Sequence, residues 1–142
     1  AAQVTGGDYF EILCETKYPG DEDKTYEQAQ QEQLDQARPQ LASHVENMDA
    51  YGTIILVYPN WWGGLPMPVA SFLEEYDLSK KTIIPVCCYE AEDSGAGTSR
   101  DEISSLCDAY VATGYNLRGN AAATSGTVTD FTNWLEEQPV NY

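Results

Sequence analysis

Two stretches of the chain are apolar almost without interruption: TIILVY at residues 53–58 and KTIIPVCC at residues 81–88. Short runs of this kind, rich in β-branched residues, predict strands covered on both faces. Pro85 interrupts the second run and cannot donate to a ladder. YFEILCE, residues 9–15, mixes aromatic and β-branched residues after the Gly6-Gly7 turn signal and predicts a further strand. A fourth is expected within residues 110–117.

Between these runs the period changes from two to 3.6. Val69, Phe72, Leu73 and Tyr76 fall at i, i+3, i+4 and i+7, with Pro68 in the first turn, where its missing N–H costs nothing. Ser99 and Glu102 have the spacing of a capping box, and Ile103, Leu106, Cys107 and Tyr110 carry the stripe after it. Residues 25–37 predict a weakly amphipathic, Gln/Glu-rich helix with Tyr26, Ala29, Leu34 and Ala37 inward, stopped before Pro39. Residues 127–138 predict a closing helix through Val128, Phe131 and Leu135. Alternation of this sort indicates one α/β domain over residues 1–142, with a parallel sheet and right-handed crossovers.

Charge narrows the partners. The formal net charge is −16, from 23 acidic and 7 basic residues. Such a field repels nucleic acid and anionic membranes; it suits docking onto basic surfaces, or simple solubility. No apolar run approaches the roughly 20 residues of a membrane span, and no basic-then-apolar leader opens the chain. The four cysteines, Cys14, Cys87, Cys88 and Cys107, lack metal or redox spacing and read as reduced small hydrophobes, as in a cytoplasmic protein. His44 has no second His or Cys nearby, so neither a metal site nor a catalytic triad is indicated.

Open parallel sheets bind ligands outside the carboxyl ends of their strands. Two loops leave such ends: PNWWGGLP, residues 59–66, and YEAEDSGAGT, residues 89–98. Adjacent tryptophans in one and small residues in the other make a slot for a planar heteroaromatic ring. Indole supplies the stacking face, and glycines let backbone groups reach the ring's polar edge. The alternative is one indole in the core and the other over a hydrophobic edge.

The segment YPNWWGGLPMPVASFLEEYDLSKKTIIPVCC resembles flavodoxin-like proteins, in particular a subgroup with a YPxWW loop. TGGDYFEI, Ala37-Arg38-Pro39 and SGAGTS are similar to it as well, in the same order, from about Thr5 to Gly119. The resemblance implies a three-layer α/β/α fold, bound flavin mononucleotide (FMN), and electron transfer or a flavin-dependent reduction with partners of basic surface. Pro59, Asn60, Trp61, Trp62 and Gly63 would flank the isoalloxazine. Cys88, Tyr89, Glu90, Ser94, Gly95 and Gly97 would line its pyrimidine edge. No catalytic side chain is implied.

This chain departs from the family at its start. Family members open with an apolar strand, a phosphate-binding loop and a helix, whereas Ala1-Ala2-Gln3-Val4 looks like the end of that helix. The expectation is thus an N-terminally truncated flavodoxin-like domain without that strand and loop. In the family the first strand lies between the second and third. Its place would be taken by a strand from elsewhere, by exchange in a homo-oligomer, or by direct pairing of residues 9–15 with residues 53–58. Losing three or more charge-assisted hydrogen bonds of about 1.5–3 kcal/mol each would weaken FMN binding by orders of magnitude. Glu90, Glu92 and Asp93 also stand where small residues are usual. GNAAATSGT, residues 119–127, precedes a helix and is either an anion cradle or a plain linker. Two functions follow: an FMN-linked redox protein, or an interaction module of the same fold that binds no flavin.

Overall fold

The computed structural model describes residues 1–90, 97–119 and 125–138. β1 (Thr53–Pro59) and β2 (Thr82–Tyr89) pair in parallel along their whole length, from Thr53 opposite Thr82 to Pro59 opposite Cys88. Both form within one residue of the apolar runs that predict them. The expected fourth strand forms as two pieces, β3 (Tyr110–Val111) and β4 (Tyr115–Arg118), each parallel to β2.

The break has a local cause. Odd-numbered residues of β2 face this neighbour: the carbonyls of Lys81 and Ile83 accept from Tyr110 and Ala112. Pro85 therefore turns a missing donor toward it. The register slips by one residue there, from Val111 opposite Ile83 to Tyr115 opposite Val86. The Arg100 guanidinium accepts the role of partner instead, donating to the carbonyls of Val111 (3.0 Å) and Ala112 (3.2 Å).

Residues 9–15 do not join the sheet, contrary to the pattern's prediction, and do not pair with β1. Their alternation is nonetheless real. Phe10 and Ile12 pack on the core, with Phe10 6.0 Å from the Phe72 ring, while Tyr9 and Leu13 face solvent. Among the described residues the backbone pairs only through an antiparallel bridge of Cys14 with Leu41. A period of two selects an extended chain with one buried side; it does not choose the partner.

Helices cover both faces. α1 (Ala2–Thr5) is one turn. α2 (Glu22–Leu34) begins and ends three residues earlier than expected, because Asp21 caps it by accepting from the Lys24 N–H (3.1 Å). α3 (Met67–Glu75) and α5 (Ser125–Glu136) lie where the 3.6-residue stripes place them, although Val128 faces solvent. α4 (Ser99–Leu106) starts as expected but ends before its stripe does: Cys107 is already extended and Tyr110 opens β3. Leu56, Tyr58, Ile83 and Cys87 face the larger core, with Phe72 and Leu73 of α3 and Ile103 of α4. Ile84, Val86 and Ala112 face a smaller one, closed by Phe131 and Leu135 of α5 and Val4 of α1. Lys81, almost fully buried, donates to the carbonyls of Met48 (2.8 Å) and Tyr51 (2.7 Å), anchoring the chain that enters β1.

Among the described residues β1 pairs with β2 alone. The N–H of Thr82 donates to Gly52 and that of Asn60 to Cys88, so even-numbered residues face β2 and odd-numbered ones face the sheet edge. On that edge Val57 is half exposed.

Candidate functional site at the carboxyl end of the sheet

The two suspect loops open on one rim. Pro59 stands beside Cys88, and the Asn60 N–H donates to the Cys88 carbonyl at 2.7 Å. Farther out they meet again. The Thr98 N–H donates to the Gly63 carbonyl (3.1 Å), and Gly97 lies so near that a Cβ on it would be 2.0 Å from that same oxygen. Tyr89 and Glu90 continue the rim, with Tyr89 opposite Arg118 of β4. Ser94 and Gly95 lie outside the described residues, as do Glu92, Asp93 and residues 120–124 of the Ser/Gly-rich stretch.

The tryptophan loop is a tight turn. Trp61 and Gly64 exchange two backbone hydrogen bonds, of 3.2 and 3.0 Å. Between them Trp62 has φ 52° and Gly63 φ 78°. Positive φ at both central positions defines the turn that Asn-Gly ordinarily makes. Placing Trp at the first of them costs about 1–2 kcal/mol. Strain of this sort clusters at ligand sites. Neither indole fills the core. Trp61 is half buried, edge-on to Tyr18 at 5.4 Å, and its carbonyl also accepts from Gln33 Nε2 (3.2 Å). Trp62 is 51% exposed, edge-on to Tyr26, and its Nε1 donates to the Tyr26 carbonyl (3.1 Å).

The expected capping box of Ser99 and Glu102 does not form. The N-cap position falls on Thr98. Ser99 is fully buried and its hydroxyl pairs with the Tyr58 hydroxyl at 2.8 Å. Burial, the largest cause, pushes the Tyr58 phenol up to about 12. Glu102, released from the cap, turns its carboxylate outward to accept from the Leu65 N–H (2.8 Å) and the Thr98 hydroxyl. Gly64 leaves room for this: a Cβ there would stand 2.7 Å from Glu102 Oε1 and 2.8 Å from Gln33 Nε2, so those two side-chain ends would have to shift. Spacing alone placed Tyr18, Tyr26, Gln33 and Glu102 on helices or loops with no link to the site. The only available signal was the second glycine after the tryptophans.

Other chemistry is sparse. Burial pushes the Cys87 thiol up to about 11 and raises Cys88, so both stay protonated at neutral pH. His44 pairs with Glu75 on the exposed surface at the far end of α3. Among the described residues no His/Cys/Asp/Glu group could hold a metal ion, and no helix is long and apolar enough to cross a membrane. A polar cavity of about 270 Å³ lies behind the tryptophan turn, lined by Gln33, Arg38, Thr98 and Glu102. A second, of about 310 Å³, holds Cys14, Gln28, Glu32 and Tyr18, whose hydroxyl donates to Glu32 at 2.5 Å.

Comparison with known proteins agrees with this architecture. A provisionally named flavoprotein from Bacteroides uniformis superimposes with TM-score 0.76 at 25% identity, over 96% of this chain and 85% of that one. One from Bacteroides eggerthii does so with TM-score 0.74 at 21% identity, over 96% and 86%. A Lactobacillus acidophilus flavoprotein solved in complex with FMN shares the fold more distantly, with TM-score 0.59, 14% identity, and coverage of 85% and 76%. No curated protein matches the chain. The flavodoxin family model matches residues 1–138, and with the parallel sheet and its paired rim loops in place the chain belongs to the flavodoxin family.

Proposed function

We propose that the rim holds the isoalloxazine of FMN and that the protein serves as an electron carrier or flavin-dependent reductase. The observation carrying this reading is the strained, positive-φ turn that presents two incompletely buried indoles beside a second loop at the same sheet end. Pro59, Asn60, Trp61, Trp62 and Gly63 would form one wall. Cys88, Tyr89, Glu90, Ser94, Gly95 and Gly97 would form the other. When bound, FMN supplies the one- and two-electron chemistry. The protein's residues stack, orient and exclude water, and no side-chain acid or base is required. The Lactobacillus complex lends support by fold.

The residues fit the ring better than the phosphate. The Gly63 carbonyl is already engaged by the Thr98 N–H (3.1 Å) and hydroxyl (3.4 Å). The candidate anion cradle at residues 119–127 lies mostly outside the described residues. Titrating FMN while following flavin and Trp fluorescence tests the reading directly. Saturable quenching is expected, weakened about tenfold by Trp62→Ala through loss of about 1.4 kcal/mol of stacking and burial. An unquenched, colourless mixture sinks it. With 23 acidic residues against 7 basic ones, a redox partner of basic surface should associate more slowly as salt rises.

A second reading rests on one feature, the sheet edge at β1 with half-exposed Val57. Such an edge can accept a strand from another chain, giving an interaction module or homo-oligomer. Light scattering across a concentration series separates the two: a monomer that binds FMN tightly excludes the module reading.

A further inference from the structure

Resting on the flavin reading, we propose that Glu102 is a positioning residue that locks the two rim loops together and so sets the place of the indoles. It stands in the first turn of α4, yet its half-buried carboxylate accepts from no backbone N–H of that helix and pairs with no cation among the described residues. Oε2 accepts from the Leu65 N–H at 2.8 Å, on the tryptophan loop's return to α3. Oε1 accepts from the Thr98 hydroxyl, at the close of the second loop. Thr98 in turn donates its N–H to Gly63. Both loops are thus tied to one side chain, directly behind the strained Trp62–Gly63 pair.

Three details single out Glu102 from its surroundings. Leu65 is 1% exposed, so its N–H has little access to water should the carboxylate go. Gly64 leaves the space through which the carboxylate reaches the turn. Gln33 supports the same turn from α2 through the Trp61 carbonyl, but it touches only one loop. Gln in place of Glu102 keeps both links, because its Oε1 can accept from Leu65 while the Thr98 hydroxyl reverses to accept from Nε2. Ala keeps neither, and Asp, one methylene shorter, reaches one.

The test uses the full chain carrying Trp134→Phe, so that Trp61 and Trp62 alone report. Without FMN, Glu102→Ala is expected to raise acrylamide quenching of the rim indoles, and Glu102→Gln to leave it unchanged. With FMN, Glu102→Ala should raise the dissociation constant about tenfold or more, with Glu102→Gln within a few-fold of the parent. Glu102→Asp, intermediate in both, replaces Ala if that variant does not fold. Equal loss in Ala and Gln variants, or no change in either readout, overturns the proposal. If the parent itself fails to bind FMN, the flavin reading falls while the quenching arm still decides the role of Glu102.

Discussion

The two faces of the sheet are unequally covered, and neighbouring residues of one strand show the contrast. Ile83 and Ile84 are both fully buried in β2 and point to opposite sides. Ile83 enters a core walled by α3, α4 and the chain around Leu41 and Met48. Ile84 enters a smaller one closed by α5 and the single turn of α1. Along β1 the difference reaches the surface: Leu56 and Tyr58 on the first side are buried, whereas Val57 on the second is half exposed. Among the described residues the first face buries the larger apolar cluster, which includes Leu65 of the tryptophan loop. Fewer of the described elements pin the side chains of the second.

Truncating the two isoleucines tests that contrast. Ile83→Ala is expected to cost about 4 kcal/mol and Ile84→Ala about 2–3, measured by urea unfolding, because a loosely walled site collapses around a cavity more readily. Equal losses would break the comparison. Tyr58→Phe, which removes the buried hydrogen bond to Ser99, should cost about 1 kcal/mol in the same assay. Val57→Thr, nearly isosteric on the open side, should change stability by less than about 0.5 kcal/mol. It should also reduce any concentration-dependent association seen by light scattering.

The smallest effect lies outside both cores. Arg38 donates to Glu74 through Nε (2.8 Å) and Nη2 (2.7 Å), and this hydrogen bonding holds the Glu74 carboxyl below its usual range. A lowered folded-state pKa means that the contribution is present above the unfolded value, about 4.3, and is lost as pH falls through the lower, folded one. Both side chains are partly exposed, so the ion pair should contribute less than about 0.5 kcal/mol to the cost of Arg38→Ala at neutral pH. That part is lost at pH 2 or in high salt, which leaves the Nη1 bonds to the Gln36 (3.0 Å) and Ala37 (3.1 Å) carbonyls. Thermal unfolding at two pH values checks the sign.

The rim shows how far spacing carries. That residues 59–66 and the described ends of the second loop, Tyr89-Glu90 and Gly97-Thr98, meet at one end follows from two apolar runs becoming parallel neighbours, and both runs are plain in the sequence. The positive φ of Trp62 does not follow, because no local preference puts indole there; Tyr26, Gln33 and Glu102 hold it from other elements. Glu102 is instructive. Its spacing from Ser99 matches a capping box, but Tyr58 claims the Ser99 hydroxyl from across the core, and the freed carboxylate finds a donor 37 residues away in the chain.

The order of apolar periods was sufficient for the α/β class, for α3 and α5 close to their observed bounds and for both long strands, since burial of a repeating face is a property of local spacing. Which segment pairs with which was left to the tertiary structure. Residues 9–15 alternate as a strand should, yet they lie along the core beside Leu41 and leave β1 with one neighbour among the described residues. Alternation records which side of an extended chain is dry, while backbone hydrogen bonds go to whatever edge the packed helices bring within reach.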